Sequence, residues 1–237
     1  MYNQDSDKNR ALKTVEDILR ASQNEREPYE IGMLGRDFIV LPGVFSPRFF
    51  DDSEFFARHV EVPAGGRFLE IGPGIGAVCV LTALKGAGEV VAVDINADAV
   101  TNTSLNACRH QVDDKVTALV GDVYTGLPPD KRFDLIYWNL PFGLTSRQEI
   151  SVLERSIMDP GYEAIRRFFK EASIWLAPEG KLIFGFSPTV GYFNMLQDFM
   201  AQSGLSFELL AQTQAGEGSE LITFQIFVAV LEKAPLE

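Results

Sequence analysis

The stretch Arg67-Phe68-Leu69-Glu70-Ile71-Gly72-Pro73-Gly74-Ile75-Gly76-Ala77 decides how the rest of the chain is read. Arg67–Ile71 is a short apolar run that ends in a glycine cluster, and the unbroken apolar segment Ala77–Leu84 follows, closed by Lys85-Gly86. That order predicts a buried strand, a tight turn and a buried helix. Glycines at such a turn let the backbone approach a ligand, and the helix N-terminus behind them offers its amides to an anionic or zwitterionic group. By itself the run Gly72-Pro73-Gly74-Ile75-Gly76-Ala77 also fits the G-x-G-x-x-A fingerprint of dinucleotide sites.

Downstream of the turn the pattern repeats. Glu89–Val93 reads as a second strand, and Asn96–Gln111 as a helix with Asn96 as its N-cap. Val116–Val120 and Phe133–Trp138 are the third and fourth strands. Tyr162–Leu176 is a helix stopped by Pro178-Glu179-Gly180, Lys181–Phe186 the fifth strand and Gly191–Gln202 another helix. Ser206–Gln212 and Leu221–Leu231 are two consecutive strands joined by a short loop, Ala215-Gly216-Glu217-Gly218. Parallel strands need long crossovers, so this pair is expected to be antiparallel. The expected fold is α/β: a seven-stranded, mostly parallel Rossmann-like sheet with one antiparallel strand, helices on both faces and an N-terminal helical extension.

That extension is an amphipathic helix over 6–24, with Leu12, Val15, Ile18 and Leu19 on one face. The segment from Glu27 to Pro63 is rich in Gly, Pro and Phe and is assigned no regular element. The segment 143–160 is likewise irregular. The chain divides into a lead-in, 1–62, and the α/β domain, 63–233.

With 237 residues, 46% hydrophobic and 23% charged, the chain suits one sizeable globular domain. No apolar run approaches the roughly 18 residues of a membrane helix, and Met1–Asp5 has no signal-peptide character. A cytoplasmic chain without membrane contact is therefore expected. Cys79 and Cys108 lie within expected helices and read as buried thiols rather than a disulfide. They and His59 and His110 are too scattered to suggest a metal site. A net charge of −12 disfavours a general grip on a phosphate backbone. The basic residues Arg147, Arg155, Arg166, Arg167 and Lys170 are interleaved with Glu149, Glu154, Asp159 and Glu163 and form no compensating patch. Oligomeric state is not readable.

Ligands of such sheets bind beyond the carboxyl ends of the strands, near the point where strand order reverses. The residues at those ends are chemically specific. Asp94 ends the second strand, where a carboxylate accepts from ribose hydroxyls, and Ile95 offers an apolar face to an adenine ring. Asp122 follows the third strand, placed to accept from an exocyclic amine, with Val123 beside the same ring. Glu70 interrupts an apolar strand just before the glycines, a costly position unless the carboxylate is paired. A ligand ammonium or loop amides would satisfy it, whereas the pyrophosphate of NAD would be repelled. After the fourth strand comes Asn139-Leu140-Pro141-Phe142. An Asn side-chain carbonyl with a backbone carbonyl accepts both hydrogens of a planar –NH2 group. Phe142 can stack on that group and shelter a sulfonium.

These segments carry a resemblance. Phe68–Gly76, Val90–Asn96, Leu119–Val123 and Phe133–Phe142 resemble the four ordered motifs of class I S-adenosylmethionine-dependent methyltransferases. Leu41-Pro42-Gly43-Val44-Phe45-Ser46, with Asp51, resembles the lead-in of their small-domain group. That group includes ribosomal RNA guanine N-methyltransferases and release-factor glutamine methyltransferases. The resemblance implies S-adenosyl-L-methionine as cofactor and S-adenosyl-L-homocysteine as product. It implies that Glu70, Gly72 and Gly76 surround the methionine part, Asp94 the ribose, and Asp122 with Val123 the adenine; Gly74 and Ile95 are further cofactor-binding candidates by position. Phe45 and Ser46 would close over the cofactor, and Asn139, Leu140, Pro141 and Phe142 match the acceptor signature Asn-Pro-Pro-Phe/Tyr. Leu140 stands where the first proline belongs. It keeps the backbone carbonyl, and preceding Pro141 biases it to extended angles. The implied reaction is methyl transfer to a planar amide or amine nitrogen of a small molecule or protein. The alternatives are an RNA or DNA base N-methyltransferase, an NAD(P)-dependent oxidoreductase, and a catalytically degenerate cofactor-binding protein.

Overall fold

The computed structural model describes residues 4–50, 52–216 and 221–232. The chain enters through helix α1 (Gln4–Ser22), the hairpin β1 (Tyr29–Met33) and β2 (Arg36–Val40), a 3-10 turn at Pro47–Phe49, and α2 (Ser53–Arg58). The alternation then begins: β3 (Arg67–Ile71), α3 (Ala77–Leu84), β4 (Glu89–Asp94), α4 (Ala97–Arg109), β5 (Val116–Val120) and β6 (Phe133–Asn139). Two short strands, β7 (Gly143–Thr145) and β8 (Met158–Pro160), precede α5 (Glu163–Trp175), β9 (Leu176–Phe186), α6 (Phe193–Gln202), β10 (Leu205–Ala215) and β11 (Ile222–Leu231).

The main sheet has seven strands in the order β10-β11-β9-β6-β3-β4-β5. β11 runs antiparallel to both its neighbours, and the pairs β9–β6, β6–β3, β3–β4 and β4–β5 are parallel. The expected sheet, with its one reversed strand late in the chain, is the observed one. Central parallel strands are covered on both faces, so their sequences read as continuous apolar runs rather than alternating ones. In β3, Phe68 and Leu69 are both fully buried although they point to opposite faces, and they belong to separate clusters. One cluster unites the sheet with α3, α4 and the residues of β2 and α2; the other unites it with α5 and α6. Each fully buried phenylalanine, such as Phe68 or Phe184, contributes about 2–3 kcal/mol of transfer free energy. Strand order reverses between β3 and β6, and the crevice at their carboxyl ends lies between the Gly72 turn and Asn139.

Several readings need correction. The segment 27–63 contains the β1–β2 hairpin and α2. In 143–160 the strands β7 and β8 pair as a parallel two-stranded ribbon. β9 begins at Leu176, passing through Glu179 at φ 62°, instead of at Lys181. Cys79 is buried as expected, but Cys108 is exposed, because the inward stripe of α4 runs through Ala99, Asn102, Thr103, Asn106 and Ala107. Asn96 does cap that helix, its side chain accepting from Asp98 N. Asp51 and the loop residues Glu217 and Gly218 lie outside the described residues.

The hairpin is joined to the fold by two buried amides. Asn106 Oδ1 accepts from Ile39 N at 2.9 Å, and Asn102 Oδ1 from Leu41 N at 2.8 Å. Both Nδ2 groups donate to Ile39 O at 2.8 Å. Spaced by four residues on one helix face, the two side chains serve β2 as a partner strand would. This brings Phe45 beside the glycine turn, its carbonyl 3.8 Å from where a Cβ on Gly74 would lie.

Candidate active site

The glycine turn is shaped by positions that tolerate no side chain. Gly72, Gly74 and Gly76 have φ of 62°, 56° and 76°, in the left-handed region. A Cβ on Gly76 would lie 2.8 Å from Thr103 of α4, and one on Gly72 would lie 3.1 Å from the Trp138 indole nitrogen. The backbone is fastened from both sides: Gly72 N donates to Val93 O at 2.8 Å, and Asn106 Nδ2 to Ile75 O at 2.9 Å. Gly76 therefore works as a packing residue between turn and α4, while Gly72 and Gly74 face the crevice.

The acids differ in their surroundings. Glu70 is 4% exposed, and the Cys79 thiol donates to its Oε2 at 2.8 Å. Burial pushes the Glu70 carboxyl up to about 7; the thiol and a backbone amide oppose this, and the nearby Asp94 adds to it. The sequence reading offered a ligand ammonium or loop amides as its partner; the structure pairs it with the thiol and backbone amide of Cys79 in α3. Asp94 accepts from Asn96 N at 2.8 Å and from Gly74 N at 3.3 Å. Burial again dominates, raising its carboxyl to about 6 against those amides. Asp122 is gripped by Arg167 of α5, whose Nη1 donates to its Oδ2 at 2.8 Å and Nη2 to its backbone carbonyl at 3.1 Å. Val123 beside it is buried at φ 57°.

Phe45, Glu70, Gly72, Gly74, Asp94, Ile95, Asp122, Val123, Asn139 and Pro141 all line one crevice. Ser46 does not reach it: its hydroxyl accepts from Tyr29 Oη at 2.7 Å and from Arg48 N, capping the 3-10 turn. Leu140 and Phe142 instead line a second cavity, of about 250 Å3, on the far side of Asn139. Phe45, Asn139 and Ser156 border both spaces.

Asn139 Oδ1 is buried and has no hydrogen-bond partner among the described residues. It packs against Gly185 of β9, where a Cβ would come within 2.4 Å of it, so the neighbouring strand needs glycine there. Leu140 N donates to Gly185 O at 3.1 Å, and Tyr162 Oη donates to Phe142 O at 2.5 Å, fixing both ends of the Asn139–Phe142 segment.

Sequence reasoning missed Arg167, Phe56, Tyr137 and Trp138, and the contribution of the 143–160 segment, whose Arg155 and Ser156 line the crevice. Trp138 had a signal, its place directly before Asn139. Arg167 had none, because its pairing with Asp122 joins two distant parts of the chain.

Known proteins resemble this chain in sequence and in fold. A family model described as the methyltransferase small domain matches residues 35–213. The ribosomal protein uL3 glutamine methyltransferase of Burkholderia pseudomallei is 31% identical over 175 residues, 65% of this chain and 56% of that protein. The ribosomal RNA small subunit methyltransferase C of Hamiltonella defensa is 30% identical over 126 residues, 52% of this chain and 36% of that protein. The chain thus spans about half the length of the curated relatives it matches. Among solved structures, the Thermus thermophilus 16S rRNA N2 G1207 methyltransferase, in complex with AdoMet and guanosine, superposes with a TM-score of 0.57 at 22% identity. That match covers 86% of this chain and 50% of the other. With the family model spanning well over half of its residues, the chain belongs to the methyltransferase small-domain family.

Proposed function

We propose that the protein transfers a methyl group from S-adenosylmethionine to a planar amide or amine nitrogen of a small molecule or protein. The observation that carries this is the place of Asn139, at the border between the crevice of the glycine turn and acids and the cavity of Leu140 and Phe142. A donor in the first space and an acceptor in the second meet at one amide. Glu70 beside the turn suits a ligand with an ammonium and no phosphate, which favours the methyl donor over a dinucleotide. Asp94 suits the ribose hydroxyls, and Asp122, steadied by Arg167, suits the adenine amine. Methyl transfer is an in-line displacement, so holding the two reactants in line supplies most of the catalysis. Asn139 and the adjoining backbone orient the nitrogen, and Phe142 shelters the approach. The relatives named above fit this chemistry, since glutamine amides and guanine N2 are both planar nitrogens.

Titration calorimetry with S-adenosylhomocysteine and NADH tests the cofactor. Binding of the former and none of the latter is expected; binding of NADH alone contradicts the reading. Asp94→Ala removes a charged acceptor of two hydrogen bonds and is expected to weaken S-adenosylhomocysteine roughly 10- to 100-fold. Asn139→Ala is expected to leave that affinity within about threefold and to lower labelled-methyl transfer by about a hundredfold or more. Full turnover by Asn139→Ala would remove Asn139 from the acceptor site.

A further inference from the structure

The crevice at the glycine turn is lined by four acids, Glu70, Asp94, Asp122 and Asp159, and among its described lining residues by one basic side chain, Arg155. Each acid has its partners: the Cys79 thiol for Glu70, backbone amides for Asp94 and Asp159, and Arg167 for Asp122. The Arg155 guanidinium makes no hydrogen bond or ion pair among the described residues. Its charge reaches Asp159, where it favours the ionised carboxyl. The 3-10 turn that presents it, Glu154–Ser156, is tightly built. Ser151 N donates to Glu154 Oε2 at 2.7 Å, Glu154 N to Ser151 Oγ at 3.2 Å, and Arg155 N to Ser151 O at 3.2 Å. The Glu154 carboxylate also pairs with Arg147 at 3.2 Å. Of two adjacent charges, one is matched within its own segment and the other is left for the crevice. Ser156, the next residue, borders both the crevice and the second cavity, as Asn139 does. That puts the turn beside the end of β6, the strand next to β3 and Glu70.

Resting on the methyltransferase reading above, we propose that Arg155 binds the carboxylate at the amino-acid end of the methyl donor. That end is a zwitterion, and a lining of acids alone matches only its ammonium. A guanidinium offers two parallel N–H groups to the two oxygens of a carboxylate, a charge-assisted pair of fixed geometry. Arg155 lines the crevice and not the second cavity, so the ligand it faces is the donor rather than the acceptor. Two placements compete. The first amides of α3 can receive a carboxylate without Arg155. Asp159 senses Asp122 as well as Arg155, so a guanidinium turned to the adenosine part is the other. The turn belongs to the segment that follows Asn139, and donor binding through Arg155 would also seat Ser156 at the border between the two spaces.

The test crosses two ligands with two proteins, read by titration calorimetry on the full chain. The ligands are S-adenosylhomocysteine and its decarboxylated analogue, which keeps the adenosine, the thioether and the amine. The unmodified protein is expected to bind S-adenosylhomocysteine at least about tenfold more tightly than the analogue. Arg155→Met removes the charge and keeps an unbranched stem. It is expected to weaken S-adenosylhomocysteine by about tenfold or more and the analogue by less than about twofold, so that the preference disappears. If this variant does not fold, Arg155→Lys, which keeps the charge and loses the fork, is expected to weaken S-adenosylhomocysteine alone, by about threefold. Three results overturn the inference. Equal affinity of the two ligands for the unmodified protein means that the carboxylate has no cationic partner. Equal weakening of both ligands by the variant puts the guanidinium on the adenosine part. A preference that survives in the variant gives the carboxylate to the α3 amides. Each leaves the methyltransferase reading standing as long as S-adenosylhomocysteine binds the unmodified protein. Its failure to bind would instead sink that reading, and this inference with it.

Discussion

Glu70 is buried beneath the glycine turn and Asp94 half-buried at the crevice, near enough for the Asp94 charge to raise the Glu70 carboxyl. Their carboxyls rise to about 7 and about 6, from ordinary values of 4.5 and 3.8, mainly through burial. A carboxyl raised in the folded state stabilises the fold fully below its unfolded value, and that contribution is lost as pH climbs through the folded one. The free protein therefore loses stability at these two groups between roughly pH 4 and 7. Glu70→Gln is expected to flatten this slope, so its melting temperature gains on the unmodified protein as pH rises; a difference constant with pH contradicts the assignment. Under the proposed placement the cofactor is expected to work in the opposite sense, since an ammonium and ribose hydroxyls favour the ionised acids. S-Adenosylhomocysteine should bind more tightly on going from about pH 5.5 to about pH 7.5 and should release protons on binding, read from calorimetry in buffers of different ionisation enthalpy. Proton uptake would mean that the acids do not meet the ligand as proposed. Glu70, Asp94, Asp122 and Asn139 were legible because each stands as a polar residue at the end of an apolar run, a pattern local to a few residues. The Cys79 thiol on Glu70 and the Arg167 clamp on Asp122 were not, because they arise only when separate elements are packed together.

At the scale of elements, α4 does more than cover the sheet. Asn106 alone accepts from Ile39 N and donates to Ile39 O and Ile75 O, tying β2, the helix and the glycine turn at one buried point. Removing it strands buried backbone groups of two segments at once. Asn106→Ala is expected to cost about 2–4 kcal/mol in urea unfolding. Cys108→Ala, on the exposed face of the same helix, should change stability by less than about 0.5 kcal/mol. Similar losses in the two variants would refute the bridging role. The parallel strands and their helices were readable because burial on both faces writes itself as apolar runs punctuated by glycine. The hairpin was not, because β1 and β2 present mixed patterns, with burial in β2 confined to Phe38 and Val40, and because its outer partner is a pair of helix side chains. Leu176–Gly180 joined β9 unexpectedly for a related reason: Pro178-Glu179-Gly180 is turn chemistry, here used as an irregularity within a strand.

For the molecule as a whole, 33 acidic residues against 21 basic ones give a net charge of −12. Arg167 pairs with Asp122 and Glu171, and Arg147 with Glu16 and Glu154, while Arg155 lines the crevice. Among the described residues no helix is long and apolar enough to cross a membrane. Such a field attracts a cationic donor like S-adenosylmethionine and repels a polyphosphate backbone at every approach. Proteins that grip nucleic acid without sequence preference reach dissociation constants of about 10⁻⁴–10⁻⁶ M at physiological salt through phosphate contacts that release counterions. The net charge of −12 works against that term in this chain, although it is related to ribosomal RNA methyltransferases. A fluorescently labelled rRNA fragment is therefore expected to show no saturating anisotropy change below about 100 µM protein at roughly 0.15 M salt. Lowering the salt should recover little, since there are few counterions to release. A dissociation constant below about 1 µM with a steep salt slope would reverse the argument from charge. It would make a nucleobase nitrogen the acceptor, delivered by contacts that the −12 field does not foretell.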